Sequence, residues 1–410
     1  MPAQHRLFAS LFAATALAST AAFAAPAPPF HDLLRSAEAS PTLAESAAEV
    51  AVAEGRLRQA RAWRNPELSL EAENFSGDRP YNGFDAAEST LSVSQVLELG
   101  GKREARVAAA RDGVGAATAR RAAVRADFAA RLAIAYAEAE AADARVRHAE
   151  ELHAAAEADA RSARLMVEVG REAVLRQVQA AAETDAARAN LEEARSRQVG
   201  AFAHLTALAG SSVPFDALAE TLLDRSPQVA NPGGGNPGVT AAEADRDAAS
   251  ARVRVERAEV IPDLRLSAGF RRFEADDSTA FVAGVSLPLP IFDRNRGATQ
   301  TARAELRVAE ARLQRARLEA EAERVSAAAK ARSAAARVQA ATSGESAAAE
   351  AYRLARIGYE AGKLPLLELT NARRALAEAR NRATDARLDQ VRAEAEAARA
   401  AGRIPFGADQ

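Results

Sequence analysis

Two halves of this chain carry the same punctuation. Ser40-Pro41 opens a helical stretch that runs to Asn65-Pro66, and Asn236-Pro237 opens another that runs to Ile261-Pro262. Pro41 and Pro237 lie 196 residues apart, and so do Pro66 and Pro262. Further on, Val93-Ser94 and Val285-Ser286 repeat at 192 residues, as do Gly170 and Gly362. Paired landmarks at two offsets define one structural unit used twice. The four-residue change falls between the two strands of each unit, where a loop varies in length.

Each unit reads as helix, strand, strand, long helix, glycine turn, long helix. The strands alternate. Over 67–75, Leu68, Leu70 and Ala72 share a face opposite Glu67, Ser69, Glu71 and Glu73. The same period of two recurs over 91–97, 264–270 and 281–289, so each strand has one apolar and one polar face. That pattern suits a wall between lipid and water, and equally a half-buried soluble sheet. Four strands leave two open edges, and closure requires several copies of the chain. Residues 101–168 and 297–360 contain no proline and would each extend roughly 100 Å as helix. Gly170 and Gly362 then permit reversal into returning helices over about 172–208 and 364–400. Between the units, 211–236 carries Pro214, Pro227, Pro232 and Gly233-Gly234-Gly235 and reads as a linker. The expected division is 1–24, 25–210, 211–236 and 237–410.

Alanine supplies 111 of the 410 residues, so of the 48% that is hydrophobic only about 86 residues are larger than alanine. That is too little bulk for a large globular enzyme and suits long helices packed along thin seams. Net charge is −2, from 54 basic and 56 acidic residues, which gives no footprint for nucleic acid. Without cysteine there is no disulfide, thiolate chemistry, Cys-based zinc site or lipidation on cysteine. His5-Arg6, an apolar run from Leu7 to Ala22 and Ala22-Phe23-Ala24 read as a secretory signal peptide cut after Ala24. No other segment is apolar for long enough to cross a bilayer as a helix, so membrane passage would use strands.

On these features the sequence resembles the TolC-like outer-membrane efflux proteins over about residues 30–402. The local patterns are Val285-Ser286-Leu287-Pro288-Leu289-Pro290-Ile291-Phe292-Asp293-Arg294-Asn295-Arg296-Gly297, Tyr359-Glu360-Ala361-Gly362 running into Leu366-Leu367-Glu368-Leu369, and Arg64-Asn65-Pro66-Glu67-Leu68. The last, with Glu98-Leu99-Gly100-Gly101-Lys102-Arg103, is most similar to the CzcC-type branch, which serves heavy-metal resistance pumps. The resemblance implies a mainly α fold with a membrane β-barrel. Three chains would close a 12-stranded barrel continued by a 12-helix periplasmic α-barrel. It also implies a homotrimer set in outer-membrane lipid, an inner-membrane pump of the resistance-nodulation-division (RND) type and a periplasmic adaptor. The protein itself would be a passive channel, with no enzymatic activity and no cofactor.

The resemblance places a gate at the turns around Gly170 and Gly362. Acidic residues of relatives six and nine positions after the second glycine correspond to Glu368 and Asn371, so one carboxylate of two is kept. Tyr359 occupies the tyrosine position of the closing network, while Arg176 and Leu364 stand where an acid and an arginine are expected. An Arg176–Glu368 pair across the hairpins is the substitute these residues offer. His148 and His153 are five apart, on different helix faces, and suggest no shared metal site. The glycine clusters lack a phosphate-loop pattern. The expected cargo is a metal cation such as cobalt, zinc, cadmium or copper. Export of organic drugs or type I protein secretion is the alternative, followed by a periplasmic adaptor and a structural coiled coil.

Overall fold

The computed structural model describes residues 25–79, 81–225 and 235–406. The expected signal peptide, 1–24, lies outside the described residues, as does 226–234 of the expected linker.

The duplicated order is present in full. In the first unit a helix (α2, Pro41–Arg61) leads into strands β2 (Glu67–Glu73) and β3 (Glu88–Leu97). A long hairpin follows, α3 (Lys102–Glu168) and α4 (Val174–Ala209). The second unit repeats this as α5 (Pro237–Ala258), β5 (Leu264–Phe273), β6 (Ser278–Ser286), α6 (Arg296–Glu360) and α7 (Leu366–Ala400). The strand limits differ from the sequence reading for local reasons. Strand β2 stops at Asn74, whose φ of 59° leaves the extended region. Strand β6 stops before Leu287-Pro288, where proline removes a ladder donor. Strand β3 begins earlier, at Glu88, where its ladder still pairs with Glu73 of β2 and Phe273 of β5, and Arg271 of β5 meets the Glu88 carboxylate at 2.9 Å.

The four strands form one antiparallel sheet in the order β2-β3-β5-β6. Its register places Leu70, Leu91, Phe270 and Phe281 in one row across all four strands. Leu68, Val93, Ala268 and Ala283 form the next row of the same face. Glu71, Thr90, Arg271 and Ala280 lie in a row of the opposite face. The apolar face is bare in the single chain: Leu70 is 75% exposed and Val285 71%. Strands β2 and β6 each keep one unpaired edge.

Connectivity puts the sheet at one end of the long helices and the glycine turns at the other. Near the sheet the helices neighbour one another in the order α2, α3, α5, α6; beyond it the order is α4, α3, α7, α6. Each level is thus a row of four neighbouring helices. The sheet-proximal helices enclose a groove of about 1940 Å³, walled by alanines such as Ala110, Ala117, Ala242, Ala249, Ala309 and Ala316. Among the described residues no helix is long and apolar enough to cross a membrane.

Bulky side chains gather in one belt partway along the hairpins. Phe128, Leu132 and Tyr136 of α3 pack with Phe202 and Leu205 of α4, Leu388 and Val391 of α7, and Phe30 and Leu33 of a short helix α1 (Phe30–Ser36). Two short parallel strands, β1 (Ala25–Ala27) and β4 (Phe215–Leu218), close this belt. Part of the segment read as a linker is therefore ordered. Glu140 of α3 accepts the backbone N–H groups of Leu222 at 2.7 Å and Leu223 at 3.2 Å. The Tyr136 hydroxyl donates to the Glu220 carbonyl at 3.2 Å, and burial raises this phenol to about 12.

Candidate functional site

The two glycine turns are copies of one another down to their hydrogen bonds. After α3, Gly170 has φ 71°, and the Met166 carbonyl accepts from Arg171 N at 2.9 Å and Glu172 N at 3.2 Å. After α6, Gly362 has φ 68°, and the Gly358 carbonyl accepts from Lys363 N at 2.8 Å and Leu364 N at 3.1 Å. Each turn closes its helix by wrapping the last carbonyls with left-handed backbone that glycine adopts without penalty. Gly358 is also a packing glycine, since a Cβ there would sit 2.6 Å from Leu364 Cδ1.

Tyr359 is half-buried in a small cluster with Ala355, Leu366 and Leu369. Burial raises its phenol pKa; Glu172 and Asp159 add to the rise, and Arg176 opposes it. The structure thus brings Tyr359 into the electrostatic reach of Arg176. Arg176 itself donates to Gln179 Oε1 at 3.4 Å. Glu368, in the first turn of α7, and Asn371 are both exposed, and no Arg176–Glu368 ion pair forms within the chain among the described residues.

A charged cluster that the sequence reading did not single out lies just behind this end. Arg373 of α7 is 5% exposed. Its guanidinium pairs with Asp159 of α3 and, at 3.1 Å, with Glu183 of α4. Arg374 also pairs with Glu183. Burial raises the Asp159 pKa from its ordinary value, with Arg373 pulling the other way and Glu183 adding to the rise. A signal for it was available: Leu366, Leu369, Leu376 and Ala379 trace the buried stripe of α7, and Arg373 occupies a position on that stripe.

At the opposite end, the Glu98-to-Arg103 motif forms a collar where sheet meets helices. Glu98 is almost fully buried and is held by Arg106, one contact at 2.9 Å, and by Arg64 at 3.5 Å. Its carboxyl is lowered chiefly by the Arg106 hydrogen bond. Buried Lys102 reaches Asp263 at 2.7 Å and Glu259 at 3.3 Å in the second unit. Gly100, at φ 69°, leaves room for Ile261, whose Cδ1 would be 2.4 Å from a Cβ. Arg103 donates to the Arg61 carbonyl at 2.7 Å and stacks on Trp63 at 4.7 Å.

The polar sheet face carries its own charges. Arg271 pairs with Glu73 at 3.0 Å and Glu88 at 2.9 Å, and Arg265 pairs with Glu67. Among the described residues no group of three or more His, Asp or Glu is arranged to hold a metal ion.

A family model described as "Outer membrane efflux protein" matches residues 34–211 and 234–403. The chain is 42% identical over 284 residues to the nickel-cobalt-cadmium resistance protein NccC of Alcaligenes xylosoxydans xylosoxydans, covering 68% of this chain and 64% of that one. The match therefore spans just under two thirds of that relative's length. It is 32% identical over 347 residues to the cobalt-zinc-cadmium resistance protein CzcC of Cupriavidus metallidurans, covering 83% and 81%. In structure it is similar to the Campylobacter jejuni CmeC outer membrane channel, with TM-score 0.79, 16% identity and coverage of 93% and 87%. That likeness speaks for the fold.

Proposed function

The chain belongs to the outer membrane efflux protein family, and from this we propose that it is the export duct of a tripartite pump for heavy-metal cations. The observation that carries the reading is the bare sheet: one continuous apolar face, one charged face and two unpaired edges. A second and third copy supply what the single chain lacks. Pairing β6 of one copy with β2 of the next makes 12 strands and removes every edge. The row of Leu70, Leu91, Phe270 and Phe281 then faces lipid, and the row of Glu71, Thr90 and Arg271 faces the pore.

The same threefold closure puts 12 helices around the axis at each level and turns the alanine-walled groove into the inner wall of a periplasmic tube. The glycine turns become its periplasmic mouth, where three copies of Glu368 form a carboxylate ring that attracts cations. Tyr359, Arg176, Gly170, Gly362 and Asn371 frame that mouth. An RND-type pump supplies the energy and a periplasmic adaptor joins it to the duct. Metal cargo is supported by the resistance proteins this chain is similar to, named for nickel, cobalt, cadmium and zinc.

Two measurements test the reading. Outer-membrane fractions are expected to yield heat-resistant trimers, and a soluble monomer would overturn the duct. A deletion strain without a redundant duct is expected to become sensitive to cobalt, nickel, zinc or cadmium salts. Unchanged metal sensitivity, with new sensitivity to organic drugs, would replace the cargo but keep the duct.

A further inference from the structure

The α3–α7 seam joins the two hairpins within one chain. Toward the mouth the buried positions of α3 include the alanines Ala156 and Ala163, while those of α7 mix Leu366, Leu369 and Leu376 with Ala379 and Ala383. Small seams bring helices close but bury little apolar area per turn. Into this seam the chain places Arg373, side chain 6% exposed, against Asp159 at 18% and Glu183 at 26%. Two arginines, 373 and 374, meet two carboxylates, so the cluster is charge-balanced and spans three helices. Separating it would leave a buried charge without its partner, which is far more damaging than losing an exposed pair.

The position of the cluster matters. Asp159 lies nine residues before the end of α3, Glu183 nine after the start of α4, and Arg373 seven after the start of α7. These spacings put the cluster about 10–14 Å behind the glycine turns. Between it and the turns lie the small cluster of Ala355, Leu366 and Leu369 with Tyr352 and Tyr359, and buried Ala163 of α3. Glu368 sits on the same helix as Arg373, about one and a half turns nearer the end.

We infer that Arg373 is the positioning residue of the periplasmic mouth: by tying α7 to α3 and α4 it sets where Glu368 stands relative to the pore axis. The inference rests on the duct reading for what the mouth does, but the tie itself is a property of one chain. The two hairpins are also joined farther back by the belt and by the Arg145–Asp385, Arg380–Glu151 and Arg392–Glu138 pairs; among the described residues the Arg373 and Arg374 cluster is the charged link between them nearest the mouth. The last two to three turns of each helix beyond the cluster are the part free to move.

The test uses the full-length protein in detergent and in planar bilayers. Hydrogen–deuterium exchange is followed in segments 165–175 and 357–369, with single-channel conductance as the second readout. In Arg373→Met, exchange in both segments is expected to rise about tenfold as local opening becomes easier, and conductance is expected to rise with it. Arg373→Lys is expected to fall between, because an ammonium lacks the planar fork that spans two carboxylates. The triple variant Arg373→Met, Asp159→Asn, Glu183→Gln leaves no stranded buried charge, Arg374 being exposed, and safeguards against misfolding; it is expected to show the same loosened tip. Wild-type exchange rates at the tip in both the single and the triple variant would overturn the tie. Loosened tips with no ion conduction from wild type or variants would leave the tie standing and overturn the duct.

Discussion

Buried carboxylates and arginines, few in number, define both ends of this helical stack. Glu98 is the clearest case at the sheet end, where Arg106 and Arg64 hold it out of water. Glu98→Gln removes a charge-assisted bidentate contact and is expected to destabilise the collar by about 1–3 kcal/mol, read as a lower midpoint of thermal denaturation. The pH dependence has a definite sign. A carboxyl whose folded pKa is depressed adds stability above its ordinary value of 4.5, and that stability is lost as pH falls through the lowered folded value. Acid titration of the wild type should therefore show a loss below pH 4.5 that Glu98→Gln lacks. Glu98, Lys102 and Arg103 were legible as a family motif. Their partners Arg106, Arg61 and Asp263 were not, because a motif does not state what it meets, whether 8, 42 or 161 residues away. Arg373 was legible only as an oddity, a charge on an apolar stripe.

At the next level up, the turns and strands behave as their local chemistry dictates. Gly170 and Gly362, at φ 71° and 68°, end their helices in a conformation that costs other residues about 1 kcal/mol. Gly170→Ala and Gly362→Ala are each expected to loosen the tip by that amount, read as faster trypsin cleavage at the exposed Arg171 and Lys363. On the sheet, register separates two outcomes. Leu70→Lys puts a charge on the apolar face and is expected to cost about 2–4 kcal/mol if that row meets the bilayer midplane. Ser267→Lys, on the opposite face, is expected to be nearly neutral. Refolding yield into lipid bilayers distinguishes the two, and equal yields would remove the lipid assignment of the Leu70 face. Alternation alone divided the faces correctly. It did not show that rows align across β2, β3, β5 and β6 without a slip, since the β3–β5 pairing couples residues 167 to 185 apart.

For the chain as a body, the shortage of large side chains finds its explanation in where they are. They concentrate in the belt around Phe128, Tyr136, Phe202 and Leu388, and on the outer row of the sheet. Elsewhere alanine lines seams and the concave groove. A tube needs no solid centre, so this composition supports a hollow wall. The belt also explains why part of the expected linker is ordered. Phe215, Leu218, Leu222 and Leu223 pack into it, and Glu140 accepts the backbone N–H groups of Leu222 and Leu223. Glu140→Ala would leave buried N–H groups at 222 and 223 unpaired and is expected to destabilise the belt by about 1–3 kcal/mol, read by thermal denaturation. An unchanged midpoint would mean that the segment is held by its apolar contacts alone.

The sequence by itself determined the duplicated order of elements, the length of the hairpins, the sites of chain reversal and the two-faced character of each strand. These follow from local rules: periodicity, proline and glycine stereochemistry, and helix propensity act within a few residues. Tertiary structure alone decided the strand register, the belt built from the chain start and the inter-repeat segment, the Lys102 and Glu98 collar, and the Arg373 tie. Each depends on groups tens to hundreds of residues apart. For a buried charge, the free energy depends on which partners arrive in the folded chain, and residue identity alone does not state that.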